Sequence, residues 1–218
     1  SITVYVGCDL DVFDEGVERY SFEIEKATNE FWVMYAGTLG SSYDIDTLVR
    51  AAQKIKDDGY DSIKFKILGG GPLKKQFETV AKEKPCEVEF LGYVQYEKMA
   101  AYLSKSDITV NSFVKSAPQS IVNKVGDYLA AGKPMINTLS SPEFRAKVEA
   151  DGFGVNVWGE GVDSLSDAIL DLYANSEKRV QMGHQARLVA DEQFNRSVSY
   201  MNIIELINDL TESLKGRE

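Results

Sequence analysis

The stretch QSIVNKVGDYLAAGKP, residues 119–134, holds the side chains best placed for polar chemistry. Its pattern predicts a helix over 118–131. Gln119 and Asp127 then stand a little over two turns apart and share a face. Asp127 is the only carboxylate of the stretch. A carboxylate accepts two hydrogen bonds at once, which suits the vicinal hydroxyls of a ribose. Gln119 lies near the helix start, where it can meet a sugar hydroxyl. Lys124 and Lys115 are the nearest cations for a diphosphate. The same residues also read as a helix packed through Ile121, Val122, Val125, Leu129 and Ala130. Lys124 and Asp127 would then be an i, i+3 pair in solvent, worth a few tenths of a kcal/mol.

Three glycine-bearing loops add to this. In AGTLGSSYD, residues 36–44, Gly37 and Gly40 let a ligand approach the backbone around Thr38 and Leu39. The helix that follows offers unpaired N–H groups and a partial positive charge, which suit a phosphate. The alternative is a tight turn with Ser42 or Asp44 as helix cap. LGGGPL, residues 68–73, centres on Gly70. It lacks the GxGxxG spacing of a dinucleotide site and the Gly-Lys-Ser/Thr of a phosphate-binding P-loop. It reads equally as a flexible turn beside a cleft. FLGYVQYEKM, residues 90–99, ends a strand at Gly92 and presents Tyr93 and Val94, whose backbone can bond a base edge. A plain strand end fits too. His184, the single histidine, falls in a helix remote from these loops.

These loops need a frame that brings them together. From Phe31 the chain alternates strand and helix: FWVMYAG, IDTLVRAAQKIKDDG, IKFKIL, PLKKQFETVAKE with Pro72 at its first helical position, VEFLGYV, YEKMAAYLSKS, DITVNSF, the 118–131 helix and KPMINT. A helix over about 141–150, the strand FGVNVW and three further helices complete the chain, the last over about 197–214. Such alternation predicts an α/β fold, a parallel sheet with helices on both faces. Ligands of these sheets sit outside the carboxyl ends of the strands, where the glycines fall. Residues 1–30 differ. ITVYVGCDL alternates like a strand, and the acidic, weakly periodic segment after it reads as a connector.

Composition narrows the function classes. A net charge of -10 argues against non-specific binding to nucleic acid or anionic lipid. Two distant cysteines, Cys8 and Cys86, fit a reduced intracellular chain better than a disulfide framework. One histidine leaves no Cys/His zinc site. No apolar run has the length of a membrane span, and no signal-peptide pattern is present. The chain opens without an initiator Met, as expected of a piece of a longer protein or a processed one.

Taken in order, these stretches resemble the C-terminal, donor-binding half of a bacterial family 4 glycosyltransferase of the two-Rossmann-lobe (GT-B) fold. VYVGCDLDVF resembles the end of the acceptor lobe, and YAGTLGSSYDIDTLVRAA the first strand, phosphate loop and helix of the donor lobe. FKILGGGPLKKQF, VEFLGYVQYEKMAAYLSKSDITV, VNKVGDYLAAGKPMINT and EKRVQMGHQARLVADEQFN follow in the family's order. The resemblance implies residues 1–30 as a connector from a missing acceptor lobe and 31–218 as a nucleotide-sugar-binding lobe with its C-terminal helices. It implies a retaining transferase that moves a sugar, with UDP the default carrier, to a glycan or lipid-linked acceptor in surface or capsular polysaccharide biosynthesis. It implies no cofactor, no obligatory metal, no nucleic-acid partner and no catalytic residue in this lobe. A cytoplasmic location is implied, with the full-length protein at the inner face of the membrane as a further expectation.

The donor-binding set it implies is Gly37, Thr38, Leu39, Gly40, Gly70, Tyr93, Val94, Lys115, Gln119, Ser120, Lys124 and Asp127. The family often carries Glu, seven residues, Glu where this chain has Gln119 and Asp127. Many relatives carry an Arg and a Lys for the diphosphate where this chain has Thr38 and Tyr43, so loop amides, the helix start, Lys124 or Lys115 must balance that charge. Two alternatives stand beside this reading: a noncatalytic binding or scaffold module, and a nucleotide-sugar epimerase of the same architecture.

Overall fold

The run Phe31–Ala36 is buried at every position, as a strand covered on both faces must be. It is β1, the middle of the sheet. A computed structural model describes residues 4–83, 86–118 and 121–215, with backbone alone for 202, 209, 210 and 212–215. The other strands are β2 (Ile63–Leu68), β3 (Val88–Gly92), β4 (Ile108–Asn111), β5 (Met135–Asn137) and β6 (Gly154–Asn156). All pairs are parallel, in the order β3-β2-β1-β4-β5-β6. The order reverses between β1 and β4, so a crevice opens there at the carboxyl edge.

Nine α-helices cover the sheet among the described residues: α1 (Leu10–Tyr20), α2 (Ile45–Asp57), α3 (Lys74–Glu83), α4 (Tyr96–Lys105), α5 (Lys124–Ala130), α6 (Pro142–Asp151), α7 (Val162–Ala174), α8 (Ser176–Val189) and α9 (Arg196–Lys215). Successive β1 side chains point to opposite faces. Trp32, Met34 and Ala36 join one core with Phe13, Ala101, Leu129 and Val189. Phe31, Val33 and Tyr35 join the other with Leu48, Ile55, Ile169 and Leu172. The predicted α2 stripe of Ile45, Leu48, Val49, Ala52 and Ile55 is buried throughout.

Four sequence expectations are corrected. The 118–131 helix is shorter: α5 starts at Lys124, and Ile121–Asn123 are not helical. Gln119 and Ser120 lie outside the described residues. Pro72 is not the first residue of α3, which begins at Lys74 after a turn. The opening segment is no sheet strand among the described residues; it makes one bridge, Cys8 to Asn195. The segment read as weakly periodic holds α1, capped by Asp9 through Val12 N–H. Its buried Leu10, Phe13 and Gly16 face α4, and Gly16 lies so close to Glu97 that a Cβ would stand 2.6 Å from Glu97 Cα. Asp14 takes both ends of the Arg187 guanidinium at 2.7 Å. Acidic residues between the apolar positions hid this helical period.

Candidate functional site

The carboxyl ends of β1, β2 and β3 are laced together by backbone. Gly37 N–H donates to Leu68 O, Leu39 N–H to Gly70 O, and Gly69 N–H to Gly92 O, at 3.0, 2.9 and 2.7 Å. This close approach explains two of the three glycines of LGGGPL. A Cβ on Gly69, with φ 125°, would stand 1.9 Å from Gly37 O, and one on Gly71 2.4 Å from Leu39 O. Gly70 meets nothing and faces open space. The result is a cavity of about 260 Å³ lined by Ala36, Gly37, Thr38, Leu68, Gly69, Gly70, Tyr93, Val94 and Met99. Five of the predicted residues, Gly37, Thr38, Gly70, Tyr93 and Val94, thus meet in one place.

Lys124 supplies a charge beside this cavity. A Cβ on Gly37 would stand 3.5 Å from Lys124 Nζ, so only a glycine separates the ammonium from that wall. The residue is half-buried overall, but its Nζ is enclosed and has no hydrogen-bond partner. Four rings surround it instead: Tyr35 at 4.3 Å, Tyr43 at 4.5 Å, Phe113 at 4.9 Å and Tyr128 at 5.9 Å from their centroids. Burial pushes the ammonium's pKa well below the usual lysine range. The ring faces counter this by attracting the charged form. The hydroxyls of two of the rings are committed elsewhere: Tyr35 Oη donates to Thr38 O, and Tyr128 Oη bonds both Ala36 N–H and Ala36 O. An anion is the partner this ammonium lacks.

Asp127 is not paired with Lys124. It accepts 2.8 Å from Tyr96 Oη and lines a second cavity of about 330 Å³ with Val6, Gly7, Asp9, Val12, Asn123 and Arg196. Burial raises its carboxyl from 3.8 to about 6, against the lowering effects of the Tyr96 bond and of Arg196. The two cavities flank the start of α4, since Val94 and Met99 line one and Tyr96 the other. The reading of Lys124 and Asp127 as a solvated pair is therefore overturned.

The α2 start is not an open anion site. Asp44 caps it through Thr47 N–H at 3.2 Å, and its other carboxylate oxygen takes Glu160 N–H at 2.7 Å. The capping alternative is the observed one, and it sets a negative charge where the phosphate reading needs a positive end. Of the loop amides, that of Gly37 is committed to β2 and that of Leu39 to Gly70 in the loop after it, while those of Thr38 and Gly40 make no hydrogen bond among the described residues. Leu39 itself is buried behind the cavity. Lys115 is exposed on the loop after β4, where its N–H donates to Glu160 Oε1. Sequence reasoning missed Tyr96, Arg196 and the ring cage; nothing local marks residues 35, 43, 113 and 128 as neighbours.

Comparison with known proteins bears on this geometry. The family model described as glycosyl transferases group 1 matches residues 16–189. The Escherichia coli K12 protein WcaI, named as a colanic acid biosynthesis glycosyl transferase, is 22% identical over 204 residues, which cover 91% of this chain and 47% of WcaI. The chain spans about half the length of the curated relatives it matches. Among solved structures, sucrose-phosphate synthase of Thermosynechococcus elongatus superposes with a TM-score of 0.77 at 21% identity, covering 96% of this chain and 52% of that one. Anabaena Alr3699/HepE, in complex with UDP and glucose, gives 0.75 at 16% identity, covering 94% and 56%. These likenesses match the parallel, Rossmann-like architecture of one lobe.

Proposed function

The chain belongs to the group 1 glycosyl transferases, and on that premise we propose that it is the nucleotide-sugar-binding lobe of a retaining, family 4, two-lobe enzyme. The observation that carries this reading is Lys124. Its unpartnered, enclosed ammonium stands behind Gly37 at the wall of the glycine-lined cavity. A donor diphosphate over Gly37 would supply the missing anion, with the unbonded Thr38 and Gly40 N–H groups beside it. Tyr93 and Val94 lie across the cavity, where a base fits. Lys124 thus takes the place of the Arg and Lys that the resemblance puts at Thr38 and Tyr43.

UDP is the proposed carrier, supported by the UDP in the Anabaena HepE complex. A role in surface polysaccharide assembly is supported by the name of WcaI. In this reading transfer needs a second lobe to complete the site for the glycan or lipid-linked acceptor, at the cytoplasmic face of the membrane, and no metal. Among the described residues no helix is long and apolar enough to cross a membrane. The reaction would gain from this lobe by position and charge: as the sugar leaves, negative charge grows on the diphosphate, and the Lys124 ammonium, held in its charged form by the bound anion, stabilises it.

Calorimetric titration of the chain with UDP, GDP, ADP and CMP tests the proposal. The expected result is selective binding of one nucleoside diphosphate, weakened ten- to a hundredfold (about 1.5–3 kcal/mol) in Lys124→Met. Binding that is unchanged in the variant would overturn the role of Lys124. No binding by this chain or by the full-length protein would favour a scaffold module, to which the absence of charged side chains from the cavity lining itself points.

A further inference from the structure

The chain has two tryptophans, and they are used in opposite ways. Trp32 is buried on β1, with its indole N–H donated to Glu30 Oε2. Trp158 is 58% exposed on the loop after β6, at the same carboxyl edge as the glycine cavity. Its loop is held firmly for one that presents an aromatic ring to water. Arg145 Nη1 donates 2.8 Å to Val157 O, and the Arg145 guanidinium stacks 4.0 Å from the Trp158 ring centre. Gly159 abuts Phe113 O, where a Cβ would stand 2.5 Å away. Glu160, the one non-glycine residue at positive φ among those described, is fixed by Asp44 and Lys115. Such a conformation persists where its surroundings over-determine it, and functional sites are where it clusters.

Along the chain, no other large hydrophobic side chain between Tyr93 and Val180 is exposed among the described residues. A protein partner or a lipid surface needs a contiguous apolar patch, which this stretch of chain does not itself supply. Polar groups adjoin it: the Arg145 guanidinium lies against the ring, and Glu160, two residues on, is exposed. A flat apolar face rimmed by hydrogen-bonding groups complements a sugar ring, which has an apolar C–H face and hydroxyls around its edge. The electron-rich indole face attracts those C–H groups, as it attracts a cation.

We propose that Trp158, with its far face backed by Arg145, is a stacking platform for a pyranose ring of the saccharide acceptor, separate from the cavity at Gly37. The proposal rests on reading the chain as a glycosyl-transferring lobe. Asp44 links the two places, since it caps α2 behind the glycine loop and also anchors Glu160. A saccharide held at Trp158 would thus lie along the same edge as the donor.

Trp158 is its own reporter, because Trp32 is shielded. Acrylamide quenching of the chain is measured with methyl glycosides and disaccharides of glucose, galactose, N-acetylglucosamine and rhamnose. At least one should protect Trp158 with a millimolar midpoint. Saturation-transfer NMR of that sugar should vanish in Trp158→Ala and persist in Trp158→Tyr, while UDP titration stays the same in both. Lys124→Met should weaken UDP ten- to a hundredfold and keep the sugar. UDP binding without protection by any sugar would overturn the platform and leave the donor-lobe reading standing. Sugar transfer signals that survive Trp158→Ala, or protection that tracks protein concentration instead of sugar, would overturn it as well.

Discussion

Lys124 Nζ lies 4.5 Å from the centre of the Tyr43 ring. The resemblance puts a cation of relatives at the position of Tyr43; in the proposed reading α5 supplies that charge through Lys124, which rests on the Tyr43 ring. An enclosed ammonium without a hydrogen-bond partner costs folding free energy. Lys124→Met should therefore leave the free chain as stable as the parent or more so, while nucleoside diphosphate affinity falls. Denaturant melts and calorimetry on one preparation check both halves.

The lowered pKa of Lys124 predicts proton-linked binding. A diphosphate beside the amine favours its charged form, so binding should take up protons wherever the free amine is not fully charged. Titrations over a pH series in buffers of different ionisation enthalpy should give different observed heats, and the difference should disappear in Lys124→Met.

Asp127 predicts a pH dependence of stability with a definite sign. The folded chain holds this proton to about pH 6, whereas the unfolded chain releases it near 3.8. Between those values the folded state binds more protons, so this group's contribution falls as pH rises through that window and is constant above it. Asp127→Asn should be more stable than the parent at pH 8 by on the order of 2–3 kcal/mol, with the gain closing by pH 4. Urea melts across this range decide it; a gain that grows on acidification would contradict the burial argument.

The glycines of residues 69–71 should separate fold from ligand. Gly69→Ala sets a Cβ onto Gly37 O and should cost more than about 3 kcal/mol, because both partners are backbone. Gly70→Ala meets nothing and should stay within about 1 kcal/mol. Thermal melts of the two variants provide the comparison.

Asp44 serves two loops with one carboxylate. Asp44→Ala removes a helix cap and a charged hydrogen bond, for an expected loss of about 2–3 kcal/mol. Amide hydrogen exchange should accelerate at Glu160 and in the first turn of α2 together. Faster exchange in α2 alone would show that Glu160 is held by other contacts.

Much of the frame was legible because burial leaves a local record. Phe31–Ala36 is apolar throughout, and Ile45, Leu48, Val49, Ala52 and Ile55 recur at helical spacing; each pattern follows from which faces must leave water. Where charge interrupts the pattern, as in α1, the reading failed. It failed again at residues 121–123, where apolar spacing extended α5 beyond the turns its backbone makes.

The sequence by itself determined an alternating α/β chain with glycines at the carboxyl ends of its strands, since period and turn chemistry are properties of neighbours along the chain. Only the tertiary structure decided what the polar side chains face. Lys124 is caged by rings drawn from β1, the loop after it, the segment after β4 and α5. Asp127, three residues on, points to Tyr96 and Arg196 instead. Three residues turn a helix by most of a revolution but still leave side chains free to diverge, and the partner each one finds is set by how distant segments pack.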